Sequence, residues 1–288
     1  MLDPSCRVCG SDRLAFHFEV RGNVLDRCSQ CAFVQVRERP SAEALAAMYG
    51  ETYFARGKYD NGFAQRRENQ RRLTLMNRAG VRPGARVLDV GCGPGDFVSF
   101  AGDRFDMWGL DVSTSAIDEA RRRNPRIADQ LASGFVEEQR YPAGHFDAIV
   151  MWDVVEHLWD ARAVLRLLVG CLRAGGVLLL STPDIGAATA RLMGPRWAFM
   201  TPPEHLGFFS RASLEFLLER ELGLATRSSS ASGKWANVGF ILYKLGRVFG
   251  PVVPSRVTDQ VMRTPVGRAA VYVPTGDIRY VAAAKPEA

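Results

Sequence analysis

Lysine, histidine and uninterrupted apolar sequence are scarce in this 288-residue chain, and each shortage excludes something. Only four lysines stand among 37 Lys and Arg, against 31 Asp and Glu. The net charge of +6 is therefore carried by arginine, and it does not by itself mark a nucleic-acid surface. The longest stretch without a charged side chain, Ala174 to Pro183, is ten residues long, half of the roughly 20 that a membrane-spanning helix needs. The opening MLDPSCRVCG has no apolar signal core, so a soluble, cytoplasmic protein is expected. With 47% hydrophobic and 24% charged residues, disorder is excluded as the main state. Cysteine outside the first 31 residues is limited to Cys92 and Cys171.

The other four cysteines form two Cys-x-x-Cys pairs, Cys6 with Cys9 and Cys28 with Cys31, separated by 18 residues. Two tight knuckles can aim four thiolates at one point, which is the donor set of a closed, structural zinc site. A redox pair and disulfides are the alternatives. Alternating Leu14, Phe16, Phe18 and Val20, and the run AFVQV after Cys31, predict short strands hanging from the metal. Residues 1–40 carry six Arg and five acids, too nearly balanced to favour docking on phosphates. A zinc ribbon over 1–40 is therefore read as a stabilising or substrate-side accessory. Residues 41–80 read as linker helices, with a Ser41 cap and a stop at Gly80 before Pro83. Their cations Arg66, Arg67, Arg71 and Arg72 are read as a solvated face rather than an anion contact.

The segment VLDVGCGPGDF, Val87 to Phe97, is a buried strand, a glycine-rich turn and a helix start. Such a segment opens a doubly wound α/β nucleotide-binding domain. Asp96 occupies the place where a dinucleotide fingerprint needs a small residue, which argues against a pyrophosphate seat. Twenty residues after Gly91, the strand MWGLDVS ends in Asp111, placed for a carboxylate to hold ribose hydroxyls.

With these motifs, residues 80 to 285 resemble the class I S-adenosylmethionine-dependent methyltransferases. FDAIVMWDVVEHL looks like the family's fourth strand and the loop after it, GGVLLLSTPD like its fifth strand, and IRYVAAAK like its last. The resemblance implies a doubly wound, mostly parallel, seven-stranded Rossmann-like sheet with S-adenosylmethionine as cofactor. It gives Asp89, Gly91, Cys92 and Gly93 to the methionine part of that cofactor, Asp111 to the ribose and Val112 to the adenine. Phe135 and Val136 then lie near the adenine and Asp153 near the methyl end. Cys92 is read as a small residue tolerating close backbone approach, and Cys171 as core.

Methyl transfer is an in-line displacement, so the acceptor must be aligned and a hydroxyl or carbon acid must lose a proton. TPPEHLGFFS, Thr201 to Ser210, is similar to an active-site stretch of zinc-ribbon sugar methyltransferases. It gives His205 as base and Glu204 as its partner or a substrate contact. The second pair, Glu156 with His157, is read as bracing the cleft. Those sugar enzymes carry a large further C-terminal domain, whereas this chain stops at Ala288, so their particular reaction is not carried over. The stretch from Lys234 to Gly276 is expected to be a helical insertion that lids the site. Phe240, Ile241, Leu242, Leu245, Val248 and Phe249, with Lys244 and Arg247, offer the alternative of a membrane contact.

The expectation is methyl transfer to a small molecule, at a hydroxyl or next a carbon of a sugar, polyketide or quinone-like intermediate, free or carrier- or lipid-linked. Two alternatives stand beside it. One is an RNA base methyltransferase, which the near-neutral ribbon and the sequence WDVVEHL after the fourth strand disfavour. The other is a non-catalytic zinc-ribbon binding module.

Overall fold

The structure, a computed structural model, describes residues 5–41, 62–239, 241–242, 260–261 and 264–287. Three short strands open the chain: β1 (Leu14–Val20), β2 (Asn23–Cys28) and β3 (Val34–Val36). Helix α1 (Gly62–Arg78) follows, and then strand and helix alternate through β4 (Arg86–Val90), α2 (Asp96–Ala101), β5 (Asp106–Asp111), α3 (Thr114–Arg123), β6 (Leu131–Ser133) and β7 (Phe146–Trp152). Next come α4 (Ala161–Cys171), β8 (Leu172–Pro183), α5 (Ala188–Met193), the two-residue β9 (Gly207–Phe208) and α6 (Arg211–Glu215). Two long strands, β10 (Ala225–Asn237) and β11 (Ala270–Ala284), complete the described elements. No described helix is long and apolar enough to cross a membrane.

The main sheet has seven strands in the order β10-β11-β8-β7-β4-β5-β6. The five from β8 to β6 are parallel, and β11 is antiparallel to both of its neighbours. Central strands covered on both faces read as near-continuous apolar runs, as in LLLS of β8 and AIVM of β7. Successive residues alternate between two cores. Leu88, Ile149, Leu178 and Leu180 pack with Val164, Leu165 and Leu168 of α4, while Val87, Val150, Val177 and Leu179 pack with Met76 of α1, Phe97 of α2 and Ile117 of α3. Each such buried aliphatic side chain contributes about 1.5–3 kcal/mol.

The N-terminal strands form a second sheet, ordered β1-β2-β3-β9. Its fourth strand comes from Gly207 and Phe208, far along the chain, which pair with Gln35 and Val34 of β3. The sheet is therefore not closed within residues 1–40. Gly207 fits because a Cβ there would stand 2.7 Å from the Phe33 ring, and Phe33 itself stacks on Phe209 at 4.7 Å.

The expected insertion over 234–276 is shorter at both ends than the sequence suggests. Lys234 to Asn237 continue β10 and pair with Val273 to Ala270 of β11, past a register shift at Gly233. The interruption at Gly233 and Pro274 hides this continuation, because the run WANVGFILY reads as a buried helix as readily as a strand. Phe240, Lys244, Leu245, Arg247, Val248 and Phe249, on which the lid and membrane readings rest, lie outside the described residues.

Candidate functional site

In open α/β sheets ligands sit beyond the carboxyl ends of the strands, and the glycine-rich turn leaves β4 there. Gly91, Gly93 and Gly95 all have positive φ, at 76°, 53° and 80°, a region open to glycine without strain. The turn is tied to β5. Gly91 N donates to Leu110 O at 2.7 Å, and Gly93 N donates to Asp111 Oδ2 at 2.8 Å. Ser113 N donates to Asp111 Oδ1 at 2.8 Å. Asp111 thus clamps two loops with one lone pair on each oxygen, and a carboxylate accepting about four hydrogen bonds keeps two for a ligand's hydroxyls. Burial raises the pKa of Asp111, against which these two amide donors act.

Cys92 turns its side chain inward: its Sγ packs against Gly109, where a Cβ would stand 2.9 Å away, and burial pushes the thiol up. Val112 is 45% and Phe135 60% exposed, two apolar side chains on the rim beyond β5 and β6. Phe135 is therefore not a core aromatic. Val136 is half-buried and packs onto the core beneath. Asp89 is 2% exposed. Its pKa is pushed up to about 7 by burial, with the Arg72 cation opposing and the Asp111 charge adding.

A testable consequence attaches to Asp89. The native protein holds a proton there that the unfolded chain releases above the ordinary value of 3.8. Stability should therefore fall as pH rises from 3.8 to about 7, by at most about 1.4 kcal/mol per pH unit. In denaturant titrations across that window, Asp89→Asn should flatten this component of the slope; an unchanged slope would place the proton elsewhere.

Asp153 follows β7 with φ 59°. Its carboxylate accepts from Lys234 Nζ at 2.5 Å and from Ser181 Oγ at 3.0 Å, and Arg72 lies at 3.9 Å. Burial pushes its pKa up, but the Lys234 and Arg72 cations outweigh burial and hold it low. Neither cation was singled out as a site residue from the sequence. The solvated-face reading of α1 is corrected for Arg71 and Arg72. Arg72 lies over the Trp152 ring at 5.4 Å, and Arg71 donates to Gly233 O at 2.7 Å. Glu68, also on α1, is buried and accepts from Tyr280 Oη at 3.0 Å and Trp235 N at 2.8 Å. Helix α1 is thus a wall of the cleft. The excess of arginine was visible in the sequence, but which arginines turn inward is decided by Trp152 and Asp153 for Arg72 and by β10 and β11 for Arg71.

The loop 153–157 lies against the glycine-rich turn, since a Cβ on Gly91 would collide with Val154 Cγ2. In the same loop Glu156 is 2% exposed, and its Oε2 has no hydrogen-bond partner among the described residues. Burial, and then the Asp153 charge, push its pKa up to about 8. His157 Nδ1 donates to Glu204 O at 2.7 Å, and His205 Nδ1 donates to Phe199 O at 2.8 Å. A carbonyl accepts only, so each ring carries a proton on Nδ1, and burial lowers the pKa of His157. The two rings meet edge to face at 4.8 Å. Two Glu-His pairs nearly fifty residues apart are thereby brought to one place.

What holds the 204–208 loop is the N-terminal module. Leu206 N donates to Glu156 O at 2.8 Å, and Leu206 O accepts from Val36 N at 3.0 Å and from Arg7 Nη2 at 2.7 Å. Arg7, between Cys6 and Cys9, is buried, donates also to Val36 O and lies over the Trp159 ring at 3.7 Å. The four cysteine sulfurs lie within 4.8 Å of one another. Cys6 and Cys31 are 3.5 Å apart and Cys9 and Cys28 3.6 Å, too far for disulfides and close to the roughly 3.8 Å of a tetrahedral zinc–thiolate site. The donor set therefore fits zinc.

Strand order, glycine-rich turn and the acid ending β5 together define a Rossmann-like methyltransferase fold of class I. The chain belongs to the methyltransferase-domain family, whose model matches residues 63–229. It is 31% identical over 168 residues to the malonyl-[acyl-carrier protein] O-methyltransferase of Serratia marcescens, covering 58% of this chain and 62% of that one. It is 33% identical over 125 residues to the trans-aconitate 2-methyltransferase of Methylobacterium radiotolerans, covering 41% of this chain and 46% of the relative. The chain thus spans about half the length of these curated relatives. The magnesium protoporphyrin IX methyltransferase of Synechocystis PCC 6803 superposes with a TM-score of 0.56 at 14% identity, over 85% of this chain and 100% of that one. At that identity the likeness concerns the fold.

Proposed function

We propose that the protein transfers a methyl group from S-adenosylmethionine to a small-molecule acceptor, at a hydroxyl first and at a carbon second, with the acceptor free or carrier-linked. The observation that carries this reading is the convergence of His205, Glu156 and His157 on the loop that packs against Gly91. The cofactor supplies an electrophilic sulfonium methyl. On this reading Asp89, Gly91, Gly93 and the Cys92 main chain receive its methionine part, Asp111 its ribose, and Val112, Phe135 and Val136 flank the adenine. Asp153, held by Lys234 and Arg72, borders the methyl end. His205 takes the acceptor's proton at Nε2, its Nδ1 being fixed by the Phe199 carbonyl, and Glu204 shapes the approach. Cys6, Cys9, Cys28 and Cys31 hold a structural zinc. Residues 1–40 act as a ribbon, and residues 81–288 with the α1 wall form the catalytic domain. The relatives support a small or carrier-linked acceptor, because one is named for malonyl-acyl-carrier protein and the other for trans-aconitate.

The test follows labelled methyl from S-adenosylmethionine into a panel of hydroxylated sugars, polyketides, quinone precursors and acyl carriers, with structured RNA as a parallel arm. Label in a small-molecule hydroxyl supports the proposal, whereas label in RNA alone overturns it. In the same preparations Asp111→Ala should weaken S-adenosylhomocysteine binding by roughly 10- to 100-fold, the worth of about one to two charge-assisted hydrogen bonds. Unchanged affinity would remove Asp111 from the ribose.

A further inference from the structure

We infer that the acceptor is a planar anion, an aromatic or otherwise conjugated ring bearing a carboxylate or a phosphate, whose charge is held by Arg67 and whose ring is held by Trp235, Phe63 and Tyr272. This inference rests on the methyltransferase reading above and deepens it by naming the substrate class. The residues concerned sit on a ribbon that overhangs the cleft. Strand β11 pairs with β8 only as far as Ile278 with Pro183. Ala270 to Val273, paired with Asn237 to Lys234 of β10, therefore run on past the carboxyl end of β8, the end at which open α/β sheets bind their ligands. Lys234 ties the ribbon to the mouth of the cleft, because its Nζ donates to Asp153 Oδ2 at 2.5 Å.

Phe63, Arg67 and Arg71 lie four apart on one face of α1, and this face meets the rings of the ribbon. The Arg67 guanidinium lies over Phe63 at 4.9 Å and over Trp235 at 5.5 Å, and Arg71 lies over Tyr272 at 5.5 Å. The rings of Phe63 and Trp235 meet at 81° and those of Trp235 and Tyr272 at 53°, so they make an angled wall and not a sealed stack. Phe63 is 53% and Tyr272 37% exposed, and contiguous ring surface left in water marks a contact with a ligand or partner. The wall is fixed from behind, since Glu68 accepts from Trp235 N at 2.8 Å and Arg71 donates to Gly233 O at 2.7 Å. Charge sets Arg67 apart from its neighbours on the helix. Arg71 and Arg72 are matched by Glu68 at 3.5 Å and Asp153 at 3.9 Å, whereas Arg67 is exposed and has no ion-pair partner among the described residues. A guanidinium covered on its face by rings keeps its in-plane N–H donors, a fork that fits two oxygens of a carboxylate or phosphate. A neutral sugar would leave this cation unmatched, and an aliphatic acid would leave the rings bare. A flat ring with an anionic group satisfies both.

The test is calorimetry of the zinc-loaded full chain, saturated with S-adenosylhomocysteine and titrated with a dihydroxybenzoate, a hydroxyphenyl phosphate, catechol and glycerate. At least one of the two aromatic anions should bind about 10-fold or more tighter than both catechol and glycerate, and the tighter of the two names the anion. Arg67→Gln should weaken that binding by roughly 10- to 100-fold, the worth of charge-assisted hydrogen bonds, and leave catechol as it was. Trp235→Leu should weaken it by about 2- to 10-fold, the worth of an aromatic pair, and leave glycerate as it was. Unchanged S-adenosylhomocysteine affinity in both variants shows that they are folded. Aromatic anions that bind no tighter than catechol or glycerate, or that bind Arg67→Gln as well as wild type, would overturn the proposal. Failure of the wild-type chain to bind S-adenosylhomocysteine would overturn the methyltransferase reading instead, so the two failures are distinguishable.

Discussion

Removing the zinc proposed for Cys6, Cys9, Cys28 and Cys31 is expected to free the loop that carries His205 while leaving the glycine-rich turn in place. Structural zinc is worth about 10–16 kcal/mol in zinc-finger peptides, comparable to or larger than the whole stability of a typical domain, so the module should not hold its fold without it. Residues 204–208 would then lose β3, the Arg7 contact to Leu206 O and the seat of Gly207 on Phe33. Glu156 would lose the amide of Leu206. Amide exchange over 204–208 should rise by at least about 100-fold, or ~2.7 kcal/mol of local opening free energy. S-adenosylhomocysteine affinity should stay close to that of the loaded protein, because Gly91 and Gly93 are tied to β5 and not to the module. Unaltered exchange at these amides would mean that the module only neighbours the loop.

The second large effect belongs to His205. Its ring is buried, oriented by the Phe199 carbonyl and placed edge to face with His157. Glutamine can fill that space and still meet the carbonyl, but it cannot accept a proton as imidazole does. Once an acceptor is in hand, His205→Gln should lower kcat by roughly 100- to 10,000-fold, the usual worth of a general base. Binding of S-adenosylhomocysteine should be nearly unchanged, since His205 is not among the residues proposed to hold the cofactor. Turnover within a factor of about two of wild type would reduce His205 to a brace for the loop. Glu204→Gln should do less, because the main-chain oxygen of Glu204, not its carboxylate, is what receives His157.

The main sheet was legible in the sequence because its information is local. VLDV, AIVM and LLLS are apolar runs bounded by turn signals, and the glycines at 91, 93 and 95 need the positive φ that they have. Four cysteines in two knuckles likewise announce their own meeting. What was not legible depends on partners distant in the chain. Nothing in Gly207 and Phe208 marks a strand; they become one because β3 offers its edge. Arg72 and Lys234 look like surface cations until the half-buried Asp153 between them is seen. Glu156 and His157 were read as a brace, and His157 does hold the Glu204 carbonyl. That Glu156 is buried is seen only once the fold is known.

On the function proposed, this chain binds S-adenosylmethionine at the turn after β4 and works on a small molecule. Calorimetry of the zinc-loaded protein with S-adenosylmethionine and S-adenosylhomocysteine, each with and without a short structured RNA in moderate salt, tests it most directly. Both cofactor forms are expected to bind at one site per chain, with no heat from RNA. Salt-resistant RNA binding, or no cofactor binding under any of these conditions, would contradict it.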